Sequence, residues 1–198
     1  MTRAALAFII AFAMLPIPAL SQAAEDSANV EGCLEAAKAR REVANKNTSD
    51  ETAFKTGAEA HLDRAGSAAL YAAESCIGIV ADPCLQTDEG SSTYGMLACI
   101  GRELDVWDKR LNTAYKEALA PESDLGMNKS QTDIQIQQYR KIQRSWIPWR
   151  DATCEVLHAD GIPLYGSDSR VTGAYCHLQL TAEQALRLSG ELSNGNEF

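Results

Sequence analysis

From Leu97 the apolar residues recur at Leu97, Ile100, Leu104, Trp107, Leu111, Ala114 and Ala118. The steps alternate between three and four, the spacing of one face of an α-helix. Pro121 follows where that stripe stops. A second stripe runs through Tyr139, Ile142, Trp146, Trp149, Thr153 and Val156, with Thr132 and Asp133 placed to cap its start and Gly161 and Pro163 to end it. A third carries Val171, Tyr175, Leu178, Ala182, Ala185 and Leu188 and frays before Asn194. Upstream, residues 27–46 predict another helix and residues 45–50 a polar connector. Residues 50–82 predict one or two more helices, interrupted at Gly57 and Gly66. Strict alternation of Val, Ile and Thr is absent, and good helix formers dominate. The expected fold is all-α: a small disulfide-linked bundle of about five helices, built from antiparallel helix hairpins.

The first residues read differently. Arg3 precedes an unbroken apolar run from Ala4 to Leu15. Pro16 and Pro18 break it, and Ser21, Gln22 and Ala23 put small residues at the two positions a signal peptidase reads. This is the layout of a cleavable secretory leader, and the run is too short to span a bilayer. The first cysteine is Cys33, so no lipid-anchoring cysteine stands at the junction. The sequence therefore divides into a signal peptide at 1–23, an N-terminal helical segment at 24–83, a main helical domain at 84–193 and a disordered tail at 194–198. The expected location is periplasmic or secreted.

Net charge narrows the partners. The chain carries −9, and loss of Arg3 with the leader takes it to −10. Nucleic acid and anionic membrane surfaces are poor partners for such a protein; a basic protein is a better one, and solubility alone is the plainer explanation.

Six cysteines in an exported chain imply three disulfides. Residues 161–170 join two long helices, and Cys154 and Cys176 lie at equal distances from their midpoint. In an antiparallel hairpin such residues are level, so these two pair. Cys84 and Cys99 flank the polar turn at 87–95 in the same way. Cys33 and Cys76 then pair by elimination.

The candidate chemistry is thin. The histidines are His61, His158 and His177, and no GxSxG elbow accompanies them. Cys154, His158, Cys176 and His177 suggest a zinc set on paper, but neighbours on a helix diverge by about 100°, so Cys176 and His177 cannot both reach one ion. Carboxylate pairs such as Asp105 with Asp108, or Glu155 with Asp160, sit on faces that read as solvated. No enzyme, metal or cofactor is expected. The segment RSWIPWRDATC at 144–154 places Trp146 and Trp149 on the second stripe. With Trp107 they read as an aromatic core at a helix crossing, around Pro148 inside the helix. Arg150 and Asp151 are expected to pair with each other or with Asp108, Asn112 or Tyr115.

Thr93-x-Gly95-Met96-x-x-Cys99, Glu103-x-x-x-Trp107-Asp108-x-x-Leu111-Asn112-x-x-Tyr115, Gln143-x-x-Trp146-x-x-x-Arg150-Asp151-x-x-Cys154, then Gly166-Ser167, Cys176 and Thr181 occur in that order. Over residues 84 to 192 this resembles the LprI-type lysozyme-inhibitor N-terminal domain of exported bacterial proteins. It departs from that pattern at Gln184, where an arginine is expected, and at Pro148. The resemblance implies a disulfide-linked helical domain outside the cytoplasm and, as function, binding and inhibition of a lysozyme. The alternative is an envelope structural or protein-binding module with no lysozyme target. Tyr165, Gly166, Ser167 and Asp168, between the helices that Cys154 and Cys176 tie, form the candidate inhibitory loop.

Overall fold

The computed structural model describes residues 18–51, 73–120, 128–155 and 169–191. Among these the fold is all-α, with five helices: α1 Pro18–Glu51, α2 Ala81–Leu85, α3 Thr93–Ala118, α4 Lys129–Glu155 and α5 Ser169–Leu188. Two 3-10 turns, Ala73–Cys76 and Glu89–Ser91, flank α2. Three disulfides join Cys33 to Cys76, Cys84 to Cys99 and Cys154 to Cys176.

Helix α1 is described from Pro18 onward. The helix runs through 45–50 to Glu51, where a connector was expected. The reason is simple: the segment is polar, but neither glycine nor proline occurs between Gly32 and Gly57, and nothing else breaks a helix as strongly. The helices expected over 50–82 lie partly outside the described residues. What is described there is the turn Ala73–Cys76 and the short α2.

Helix α3 is capped by Ser92, whose hydroxyl accepts from the Gly95 N–H at 3.1 Å. Helix α4 starts earlier than Thr132 and Asp133 imply. Asn128 Oδ1 accepts from the Gln131 N–H at 3.1 Å, and Gln131 Oε1 accepts from the Asn128 N–H at 2.9 Å. This reciprocal pair satisfies two helix-terminal donors at once.

The core lies where α1, α3 and α5 meet. Val30, Leu34 and Ala37 of α1, Ile100, Trp107 and Leu111 of α3, and Leu178, Ala182, Ala185 and Leu186 of α5 form one buried cluster. It continues without a break across residues 83 and 84. Among the described residues, helices α3 and α5 share the most extensive contact. Helix α4 lies on the outside of this pair, and Cys154 is its only buried residue. Its partners on α5 run in opposite order: Cys154 with Cys176, Arg150 with Thr181, Gln143 with Gln184. The α4–α5 hairpin is therefore antiparallel.

Candidate functional site

Two groups of residues stand out, one inside the molecule and one along the α4–α5 seam. The inner group centres on Glu103, which is fully buried. One carboxylate oxygen accepts from the Gly78 N–H at 2.7 Å and from Trp107 Nε1 at 2.9 Å. The other accepts from the Val80 N–H at 2.9 Å and the Ala81 N–H at 2.7 Å. Three of these donors belong to the backbone leading into α2, so one side chain of α3 fixes that segment. Burying a carboxylate is tolerable only with such full hydrogen bonding. Trp107, also fully buried, thus serves both as core and as a donor to Glu103.

Glycine geometry tightens the same region. A Cβ on Gly95 would overlap the Glu89 carbonyl oxygen, and a Cβ on Gly90 would stand 2.6 Å from the Leu85 Cα. Both backbones approach more closely than any side chain allows. Cys84–Cys99 and Cys33–Cys76 pin the segment at two further points. Arg102 adds an ion-pair clamp: its guanidinium donates to both oxygens of the nearly buried Asp26 at 3.1 Å and reaches Glu89 at 3.4 Å. The hydrogen bond to Asp26 holds the Arg102 pKa above its ordinary value. Tyr175 of α5 donates to Asp82 at 2.9 Å. Burial first, and then this bond, push its phenol up to about 12.

The outer group lies along α4. Arg150 stacks over the Trp146 ring, 4.9 Å from its centroid, and donates to Asp151 at 2.7 Å and to Thr181 of α5 at 3.3 Å. His177 Nδ1 lies 4.0 Å from Asp151. Gln184 of α5 is buried and donates to Gln143 at 3.2 Å, so the seam is closed by an amide pair at the position that departs from the family pattern.

The expected aromatic core is corrected here. Trp146 packs partly against the core, but Trp149 is 53% exposed. The seam runs through Gln143, Trp146, Arg150 and Cys154, and Trp149 points roughly 100° away from the centre of that face. Arg150 and Asp151 pair with each other and not with Asp108, Asn112 or Tyr115. Asp108 and Asn112 are exposed and bonded to each other along α3, 2.9 Å apart. Asp105 and Asp108 both face solvent, and Glu155 is exposed. Cys154 and Cys176 are bonded to each other, which removes the thiolates the zinc set required. Tyr165, Gly166, Ser167 and Asp168, with His61, His158 and Asp160, lie outside the described residues.

A surface cleft of about 450 Å³ lies between α1 and α3 and is lined by Ala23, Ser27, Glu31, Lys109, Arg110 and Thr113. Arg110 bridges Glu31 and Glu191, at 2.6 Å each, so its charge is already committed within the chain.

Glu103 is the residue the sequence reading passed over. It appeared within the family pattern but was given no role, although it stands three after Ile100 and four before Trp107, on the buried stripe. A charged residue at that spacing was the available signal.

No curated protein and no solved structure matches this chain. The family model described as Lysozyme inhibitor LprI matches residues 84–188, more than half of the chain. The match takes in α3, α4 and α5, the Glu89–Ser91 turn and two of the three disulfides. The same span holds Gly95, Glu103, Trp107, Trp146 and Arg150, whose contacts build the two groups just described. The chain belongs to the lysozyme inhibitor LprI family.

Proposed function

We propose that this is an exported helical protein that binds and inhibits a lysozyme. One observation carries the reading: the family match over residues 84–188. Three properties support it. The leader-like start at residues 1–23 suits export, and all six cysteines lie beyond it and are bonded. No helix among the described residues is long and apolar enough to cross a membrane. The net charge of −9 suits a basic target, because opposite charge speeds encounter. Lysozymes cleave with a carboxylate pair in an open cleft, so an inhibitor need only cover that cleft. The loop of Tyr165, Gly166, Ser167 and Asp168 is one candidate for doing so, tied at its base by Cys154–Cys176.

The test is lysis of peptidoglycan by several classes of lysozyme, with and without the oxidised mature protein, at two salt concentrations. Dose-dependent inhibition that weakens with salt is the expected result. Absence of inhibition across all classes would refute the reading. A second reading, an envelope module that holds another protein, draws on the exposed Ile134, Ile147 and Trp149 of α4. Capture of an envelope partner without any lysozyme binding would favour it.

A further inference from the structure

We infer that Cys154–Cys176 is a redox latch: its reduction by a dithiol, such as a Cys-x-x-Cys pair, frees α4 from α5 while the core of α1, α3 and α5 stays folded with its two disulfides closed. The inference does not rest on the function proposed above.

The first observation is how α4 is attached. Cys154 is its only buried residue. Beside the disulfide, the seam holds two side-chain bonds, Arg150 to Thr181 at 3.3 Å and Gln184 to Gln143 at 3.2 Å. Both are at or past the long end of the range for such bonds. Among the described residues, Trp146 is the only hydrophobic residue of α4 that packs partly buried against the core cluster. The disulfide is therefore the strongest tie between the two helices.

The second observation is what α4 covers. The buried polar side chains among the described residues are Asp26, Glu103, Thr181 and Gln184. The last two lie on α5 and bond to α4. A permanently covered helix face is normally apolar, because every polar group it hides must keep a hydrogen bond. On this face, opening exchanges the two seam bonds for bonds to water and strands no donor. Contacts that open and close are polar in this way, unlike the core of a domain.

The third observation separates this disulfide from the other two. Cys84 and Cys99 are both buried, and Cys33 packs against the core cluster to which Cys76 belongs. The segments joined there are also held by Glu103 and by the packing of Val30, Leu34, Ile100 and Trp107. Neither Cys154 nor Cys176 belongs to that cluster, and Cys176 is partly exposed. A thiolate can approach it without passing through the core, and exposed disulfides are the labile ones.

The exchange balances. One thiolate of the dithiol attacks Cys176 Sγ. The bond between the two cysteine sulfurs breaks, and Cys154 leaves as a thiolate that takes a proton from water. The second thiol of the reductant loses its proton and attacks the reductant sulfur of the mixed disulfide. Cys176 then leaves and is protonated in turn. Two electrons pass to the protein, and the reductant departs as a disulfide.

The test equilibrates the oxidised mature protein with dithiothreitol and its oxidised form in a series of ratios. Alkylation of free thiols and peptide mass spectrometry identify which pair has opened. Amide exchange on the same samples reports on each helix. Cys154 and Cys176 are expected to open first. In that species the α4 amides should exchange at least about tenfold faster than in the oxidised protein, with those of α3 within about twofold. The double variant Cys154→Ser with Cys176→Ser should show the same fast exchange in α4 without reductant. Opening of Cys33–Cys76 or Cys84–Cys99 first would overturn the latch. So would unchanged α4 exchange in the reduced species or in the double variant. Loss of protection in α3 at the same step overturns it too, because the disulfide would then staple the whole fold and not one helix.

Discussion

Replacing Glu103 by glutamine is the most demanding test of how this fold holds the segment leading into α2. The substitution keeps shape and volume but converts one acceptor oxygen into a donor. Whichever oxygen is lost, two N–H groups lose their partner: Gly78 and Trp107 on one side, Val80 and Ala81 on the other. The site is fully buried, so water does not replace them. A stranded buried donor costs about 1–3 kcal/mol, and these bonds are stronger than average because the acceptor is a carboxylate. Two of them give a loss of about 4 kcal/mol, against a total stability of roughly 5–15 kcal/mol for a domain of this kind. The melting temperature of the oxidised protein should fall by on the order of 10 °C. Urea unfolding followed by far-UV circular dichroism measures the energy. Native-state hydrogen exchange locates it, with amides of Gly78, Val80 and Ala81 exchanging faster than those of α5. Asp105→Asn, an exposed neighbour on the same helix, should change stability by less than about 0.5 kcal/mol. A Glu103→Gln protein within about 1 kcal/mol of wild type would refute the claim that this carboxylate organises the segment.

Trp149→Ala should leave the melting temperature almost unchanged because the ring is 53% exposed, whereas Trp107→Ala should cost about 3–5 kcal/mol and strongly reduce near-UV dichroism. Tyr175 adds an alkaline limit. Its folded pKa, about 12, lies above the ordinary 10.0, so the folded state keeps a proton that the unfolded chain releases. Its contribution is complete below pH 10 and declines as pH rises towards 12. Tyr175→Phe should flatten the stability profile over that interval and remove a phenol that titrates above the ordinary value in an absorbance titration at alkaline pH. An unchanged profile would mean that the Asp82 contact is not maintained in solution. Replacing both Cys154 and Cys176 by alanine opens a loop with a separation of 22 residues and should cost about 3 kcal/mol. The loss should appear first as protease sensitivity in α4, which has little other packing.

The helices were legible because an apolar stripe in α3 or α5 is a direct consequence of a turn of 3.6 residues. Cys154–Cys176 and Cys84–Cys99 were legible because symmetry about a turn makes cysteines meet, and Cys33–Cys76 followed only by elimination. Trp149 shows where periodicity alone misleads. The steps from Trp146 to Trp149 to Thr153 and from Trp146 to Arg150 to Cys154 are both helical spacings, and apolar bulk alone favours the first. The deciding signal was the disulfide itself: a cysteine bonded across to α5 fixes which face of α4 turns inward. The difference at 45–50 has another cause: the segment is polar, but no residue in it interrupts the helix. Asn128 and Gln131 form a cap readable by spacing, but Thr132 and Asp133 stand nearer the stripe and displaced it. Glu103 was hidden for a deeper reason. Three of its four partners are main-chain donors 22 to 25 residues away, which no side-chain pattern announces; Trp107 alone stands on the same stripe.

This last point bears on how the family pattern relates to function. Gly95, Cys99, Glu103 and Trp107 are among the residues that carry the resemblance, and all four turn towards the chain itself. Gly95 permits a backbone contact, Cys99 closes a disulfide, and Glu103 and Trp107 bond to each other. None of them has a surface to offer a partner. Their joint effect is to hold residues 78–95 in one shape, while the exposed Asp88 and Tyr94 can differ without disturbing it. A chain can therefore keep the whole scaffold and yet meet a different target, or none. The reverse does not hold: binding of a target would require both the scaffold and an exposed face that the target reads. Sequence resemblance establishes the frame, and the exposed residues decide what it binds.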